Sequence, residues 1–142
     1  MFLGEYQHSL DAKGRVILPS KYRDQLSGGA FVSKGRGGCL FVYTAQEFDE
    51  VANRAREASK RGSRELDAAR SFFAGTAEVT PDKQGRIPIP QHLREYAGLD
   101  RDVVVAGVFS RIEIWDGRRW QERDREGDHS LNESDELPDF AI

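Results

Sequence analysis

The chain has 142 residues, 38% hydrophobic and 32% charged, with 21 basic and 24 acidic side chains for a formal net charge of −3. That balance excludes a disordered chain, and no run approaches the roughly 18 apolar residues of a membrane span. One cysteine, Cys39, excludes an intrachain disulfide and suits a reducing cytosol.

The opening, MFLGEYQHSLDAKGR, lacks the basic and apolar regions of a signal peptide, so a cytoplasmic protein is expected. Charge is unevenly placed: residues 121–142 carry a net −6 and residues 1–120 a net +3. A body so weakly basic can meet a nucleic acid only through a local patch, repeated in space.

In chain order, Tyr6 and His8 alternate with Gln7 and Ser9 as in a strand. The run Asp11-Ala12-Lys13-Gly14-Arg15 then predicts a turn, because Asp bonds backbone two residues on and Gly takes φ > 0. Val16 to Leu18 reads as a short strand, Pro19 opens a helix over Ser20 to Leu26, and a hairpin follows from Ala30–Val32 to Leu40–Tyr43 across a glycine-rich turn.

Thr44-Ala45-Gln46-Glu47 is a capping box. It starts a helix with Phe48, Val51, Ala52 and Ala55 on one stripe. Gly62 breaks it, and Ser63 caps a second helix carrying Leu66, Ala69 and Phe73, ending near Gly75.

From Gly75 the first module returns. GEYQHSLDAKGRVILP (residues 4–19) and GTAEVTPDKQGRIPIP (75–90) share D-x-x-G-R-[VI]-x-[LI]-P at a fixed offset of 71. Ile87 to Ile89 is the second short strand, Gln91 to Ala97 the second helix, and Val103–Phe109 with Ile112–Trp115 the second hairpin. At an offset of 72, Leu40, Val42, Tyr43 and Phe48 match Ile112, Ile114, Trp115 and Trp120. The segment after Trp120 is charged and without apolar period, as in a flexible acidic tail.

The doubled motif, the opening MFLGEY and the closing IEIW resemble the MraZ family, within the AbrB-like group of swapped-hairpin DNA-binding folds; the similarity spans residues 1–120. The resemblance implies an α+β, mainly β fold. Two tandem units (4–48 and 75–120) would pack as a pseudo-dimeric β-barrel, with a helical connector (49–74) and an acidic tail (121–142). It also implies a nucleoid-associated transcriptional regulator that binds repeated promoter elements in double-stranded DNA, often as a repressor of a division and cell-wall gene cluster, and assembles as a homo-oligomeric ring.

The residues are compatible with that role. Arg15 and Arg86 follow glycines that allow close backbone approach, and arginine can grip guanine O6 and N7 or clamp a phosphate. Lys13 and Lys83 sit in the loops, one position apart in the two copies, and Lys21 and Arg23 follow in the first helix. Asp11, Gly14, Asp82 and Gly85 are expected to shape the loops. The Asp–Arg pairs also fit a purely turn-stabilising role.

Other constellations point elsewhere weakly. Gly28-Gly29 and Gly35-Arg36-Gly37-Gly38 lack a phosphate-loop signature, although Lys34 and Arg36 remain possible DNA-backbone contacts. His8, His92 and His129 do not cluster, and one cysteine completes no usual zinc set. No cofactor, small-molecule substrate or enzymatic site is expected. The rivals to DNA regulation are an antitoxin-like protein with a protein partner and an oligomeric scaffold that binds no DNA.

Overall fold

A computed structural model describes residues 1–133. The elements are β1 (Phe2–Ser9), β2 (Arg15–Ile17), α1 (Ser20–Arg23) with a 3-10 turn at Asp24–Leu26, β3 (Ala30–Gly35), β4 (Cys39–Thr44), α2 (Ala45–Ala58), α3 (Ser63–Gly75), β5 (Ala77–Val79), β6 (Arg86–Pro88), α4 (Gln91–Tyr96), β7 (Asp102–Phe109), β8 (Arg111–Asp116) and α5 (Gly117–Asn132).

The expected closed barrel is not what these strands make. Six of them form one antiparallel sheet in the order β1-β7-β8-β4-β3-β5, with β1 and β5 at its edges, and β2 and β6 form a separate antiparallel ribbon. Strands are exchanged between the copies. β1 of the first pairs along its whole length with β7 of the second, from Phe2 opposite Phe109 to Ser9 opposite Asp102. β5 of the second pairs with β3 of the first, over Ala77 to Val79 only.

The registers follow the repeat. In the ribbon Val16 faces Ile87, its equivalent at offset 71, with Arg15 opposite Pro88 and Ile17 opposite Arg86. In the sheet Phe41 faces Glu113, its equivalent at offset 72, flanked by Leu40–Ile114 and Val42–Ile112. Side chains alternate across a strand. Val16, Leu40, Val42, Ile87, Ile112 and Ile114 therefore all enter one core, completed by Leu18, Tyr22, Leu26, Ile89, Leu93, Val103 and Val105.

Two of the helices, α2 and α5, start on side-chain caps. Thr44 accepts a hydrogen bond from the Glu47 amide at 3.1 Å to start α2, and Asp116, 72 positions on, accepts one from the Arg119 amide to start α5. α5 is thus the second copy's counterpart of α2. Phe48 of α2 stacks on Phe31 at 4.5 Å, and its counterpart Trp120 lies 6.1 Å from Trp115.

Three further expectations differ from the structure. Ser63, expected to cap α3, is its first residue; the N-cap position is Gly62 and no side chain caps the helix. Phe72, rather than Phe73, lies against Phe48 from α3, with ring centroids 6.0 Å apart, while Phe73 is exposed. The segment after Trp120 continues as helix to Asn132. Its Gln, Glu and Arg residues are good helix formers and its start is capped, so no apolar stripe is needed to begin it. The remainder of the expected tail, 134–142, lies outside the described residues.

Candidate nucleic-acid interface

The two D-x-x-G-R loops have the same internal geometry. Asp11 Oδ1 accepts from the amides of Lys13 and Arg15, both at 2.9 Å, and its Oδ2 accepts from Arg15 Nε at 2.7 Å. Asp82 Oδ1 accepts from the amides of Gln84 and Arg86, both at 2.9 Å, and its Oδ2 from Arg86 Nε at 2.7 Å. Each aspartate also closes the turn through its backbone, Asp11 with Arg15 and Gly14, Asp82 with Arg86 and Gly85. The Arg15 amide first, then its guanidinium and the Lys13 amide, hold the Asp11 carboxyl below the usual carboxylate range; Arg86 and Gln84 do the same for Asp82.

The turn-stabilising role proposed for the aspartates and the contact role proposed for the arginines are therefore compatible. Each guanidinium gives its Nε to its own aspartate, and its two Nη groups have no acceptor among the described residues. The bond fixes the direction of the fork while leaving its far end open.

The ribbon brings the loops together. Arg15 and Ile17 share one face of β2, and Arg86 faces Ile17, so Arg15 and Arg86 emerge from the same face, opposite buried Val16 and Ile87. They are diagonal neighbours, a relation that sets Cβ atoms about 7–8 Å apart. Reciprocal backbone bonds pin the arrangement: Leu18 N–H to Gly85 O at 2.8 Å and Ile89 N–H to Gly14 O at 2.9 Å.

Gly14 and Gly85 have φ of 73° and 80°, the left-handed conformation that disfavours other residues. Sequence reasoning assigned their bareness to the approach of a ligand. The group that approaches is an arginine from the other copy: a Cβ on Gly14 would overlap the Arg94 guanidinium, and one on Gly85 that of Arg23.

Lys13 and Lys83 are exposed in the loops. Lys21 is on α1, its Nζ over the rings of Tyr6 at 5.2 Å and Tyr22 at 5.7 Å. Arg23 differs from these lysines, since its Nε donates to Leu18 O at 3.1 Å. Of the lysine and arginine flanking the glycine-rich β3–β4 turn, Lys34 bonds Ser71 Oγ at 2.8 Å, away from the loops, and Arg36 is exposed. No group of three or more His, Cys, Asp or Glu side chains able to hold a metal occurs among the described residues.

The family model described as "MraZ protein, putative antitoxin-like" matches residues 1–69 and again residues 72–137. The chain belongs to the MraZ family. It is 50% identical over 121 residues to a protein of Acetivibrio thermocellus named "Transcriptional regulator MraZ", a match covering 85% of each chain. Proteins of the same name from Clavibacter michiganensis and Micrococcus luteus are 49% and 43% identical, covering 86% and 96% of this chain and 85% and 95% of theirs. Among the described residues no helix is long and apolar enough to cross a membrane.

Residue reasoning placed Arg94 in the second helix, as Lys21 and Arg23 are in the first, but gave it no part in holding a loop, and it did not single out Arg111 or Glu113. Arg94 carries a signal, since Arg23 recurs there at the same offset of 71. Arg111 and Glu113 carry none, because a charged pair within a strand reads as a solvated face; Glu113 is in fact buried, between Arg111 (Nε at 2.9 Å) and Trp115 Nε1 at 2.9 Å.

Proposed function

We propose that this MraZ-family chain is a sequence-specific DNA-binding transcriptional regulator whose DNA-facing surface is the β2–β6 ribbon with its two D-x-x-G-R loops. The observation that carries this reading is the shared orientation of Arg15 and Arg86, each tied by Nε and each with no acceptor for its Nη groups among the described residues. A fork held at Nε presents its two Nη donors end-on, which suits guanine O6 and N7 in a major groove. A diagonal of about 7–8 Å spans roughly two base steps at 3.4 Å each, so the two loops of one chain read one short, continuous element rather than two distant ones.

Lys13 and Lys83, exposed in the same two loops, and Lys21 on α1 supply phosphate contacts, which position without specifying. The exchange of β1 and β5 between copies supports treating 4–48 and 75–120 as two halves of one pseudo-dimeric unit joined through 49–74. Exposed Leu3, Val108 and Phe109 on one side, and Leu66 and Phe73 on α3, support assembly with further copies of the chain. Several chains side by side would read repeated promoter elements and multiply a patch that is weakly charged in any one of them.

The test is fluorescence anisotropy of the full chain against DNA from upstream of its own gene and against shuffled DNA. Preference for the upstream DNA, lost on changing guanines within one short element, supports the reading. Equal affinity for both, or none, overturns it. The family description also includes antitoxin-like; a tightly bound protein partner copurifying with the chain would favour that second reading.

A further inference from the structure

We propose that Arg94 and Arg23 are crossed positioning residues: Arg94 of α4, in the second copy, holds the first D-x-x-G-R loop, and Arg23 of α1, in the first copy, holds the second loop. What those loops do rests on the function proposed above; how they are held does not.

The two arginines are equivalents at offset 71 and make equivalent bonds. Arg23 Nε donates to the carbonyl of Leu18, and an Arg94 Nη donates to the carbonyl of Ile89, the residue equivalent to Leu18. Each carbonyl belongs to the strand end whose amide is bonded to the other copy's loop glycine: Leu18 N–H to Gly85 O, Ile89 N–H to Gly14 O. The guanidinium planes then lie where Cβ atoms would stand on Gly85 and Gly14. Each loop is therefore clamped from both sides, by its own aspartate within the turn and by an arginine of the other copy over its glycine.

The arrangement explains several features together. A planar guanidinium is thin enough to lie against bare backbone while donating in its own plane, which an ammonium cannot do. Glycine is required at 14 and 85 for contact as well as for φ. Electrostatics gain too: each loop holds one aspartate, one lysine and one arginine, and the crossed arginine raises its total to +2. Arg23, expected from sequence as a DNA contact, takes here a role beneath the loop.

Amide spectra of the full chain without DNA test the holding directly. Arg94→Ala should move the resonances of Asp11 to Arg15 and leave Asp82 to Arg86 in place; Arg23→Ala should do the reverse. Affinity for promoter DNA supplies the second measurement. Arg94→Ala should weaken binding on the order of tenfold, within the range for residues sharing one hydrogen-bond network. It should add little to Arg15→Ala but its full effect to Arg86→Ala, and Arg23→Ala should couple the other way round.

Arg94→Lys, which keeps the charge and folds with the smaller perturbation, should reproduce the loop shifts and the loss. Shifts spread equally over both loops, or confined to the loop of the same copy, overturn the proposal. So does additivity with both Arg15→Ala and Arg86→Ala, or full binding by Arg94→Lys, since either makes Arg94 a direct phosphate contact. If the crossed spectral pattern appears but the wild-type chain prefers no DNA sequence, the holding stands and the proposed function fails.

Discussion

Val16 and Ile87 face each other at the centre of the β2–β6 ribbon, both fully buried, each flanked by its own copy's arginine on one side and by a residue paired with the other copy's arginine on the other. Removing either side chain therefore disturbs the base of both loops at once. Packing this dense does not collapse to fill a void.

Ile87→Ala is expected to destabilise the fold by about 2–5 kcal/mol, the range for deleting a large aliphatic side chain in a core. Val16→Ala removes less volume and should cost less. Thermal or chemical denaturation measures both. A change near zero for Ile87→Ala would show that the ribbon is not integral to the core.

The contact residues should separate by their response to salt and sequence. Arg15→Ala and Arg86→Ala should each cost about 1–3 kcal/mol of binding and relax preference at a guanine position. Lys13→Ala should weaken all sequences alike and lower the salt slope by roughly one unit. Anisotropy titrations at several salt concentrations decide this; a uniform loss from Arg15→Ala with a reduced slope would make Arg15 a phosphate contact.

How much of this was legible in the sequence depends on period and spacing. The repeat located both loops, both short helices and both hairpins, because turn chemistry and alternation are local properties. The capping box at Thr44 likewise marked α2, since its one side-chain bond is three residues long in sequence. Exchange of β1 and β5 was beyond residue-level reading, because nothing local to Phe2–Ser9 states whether its partner is β7 or a strand of its own copy. The same holds for Arg94 over Gly14: the offset pairs Arg94 with Arg23, but only the crossing of the ribbon says which loop each one holds.

Glu113 sits opposite Phe41, its equivalent in the first copy. Its carboxylate accepts from Arg111 and from Trp115 Nε1, and the Arg111 guanidinium lies 4.1 Å from the Phe41 ring centroid. Glu113→Ala strands both partners, and loss of one member of a buried pair costs about 3–5 kcal/mol; with Arg111 partly exposed, the lower end is expected. Glu113→Gln keeps an acceptor for Trp115 and should cost less. Denaturation of the two variants in parallel checks the order, and an alanine variant as stable as wild type would remove Glu113 from the fold's support.

Acid should act on the loops through Asp11 and Asp82. A carboxylate whose folded pKa is depressed contributes stability that is complete above its unfolded value, near 3.8, and lost as pH falls through the lower folded value. Between neutral pH and about 4 these two groups should therefore leave stability unchanged, with loop resonances shifting only below it. Asp11→Asn and Asp82→Asn should abolish that acid response in their own loops. A loop transition near neutral pH in the wild-type chain would contradict the assignment.

Cys39 offers a probe of global opening. Its side chain is fully buried, its Sγ points to the Arg36 carbonyl at 3.6 Å, and burial pushes its pKa up to about 12. The thiolate is the reactive form, so both access and ionisation oppose modification in the folded state. A thiol reagent at neutral pH should label the chain only as fast as it unfolds, and labelling should accelerate with denaturant in step with loss of structure. Glu113→Ala, by loosening the strand beside β4, should raise the labelling rate in proportion to its loss of stability when opening and closing are fast. Rapid labelling of the native wild-type protein, independent of denaturant, would show that the face of the sheet carrying Cys39 opens locally.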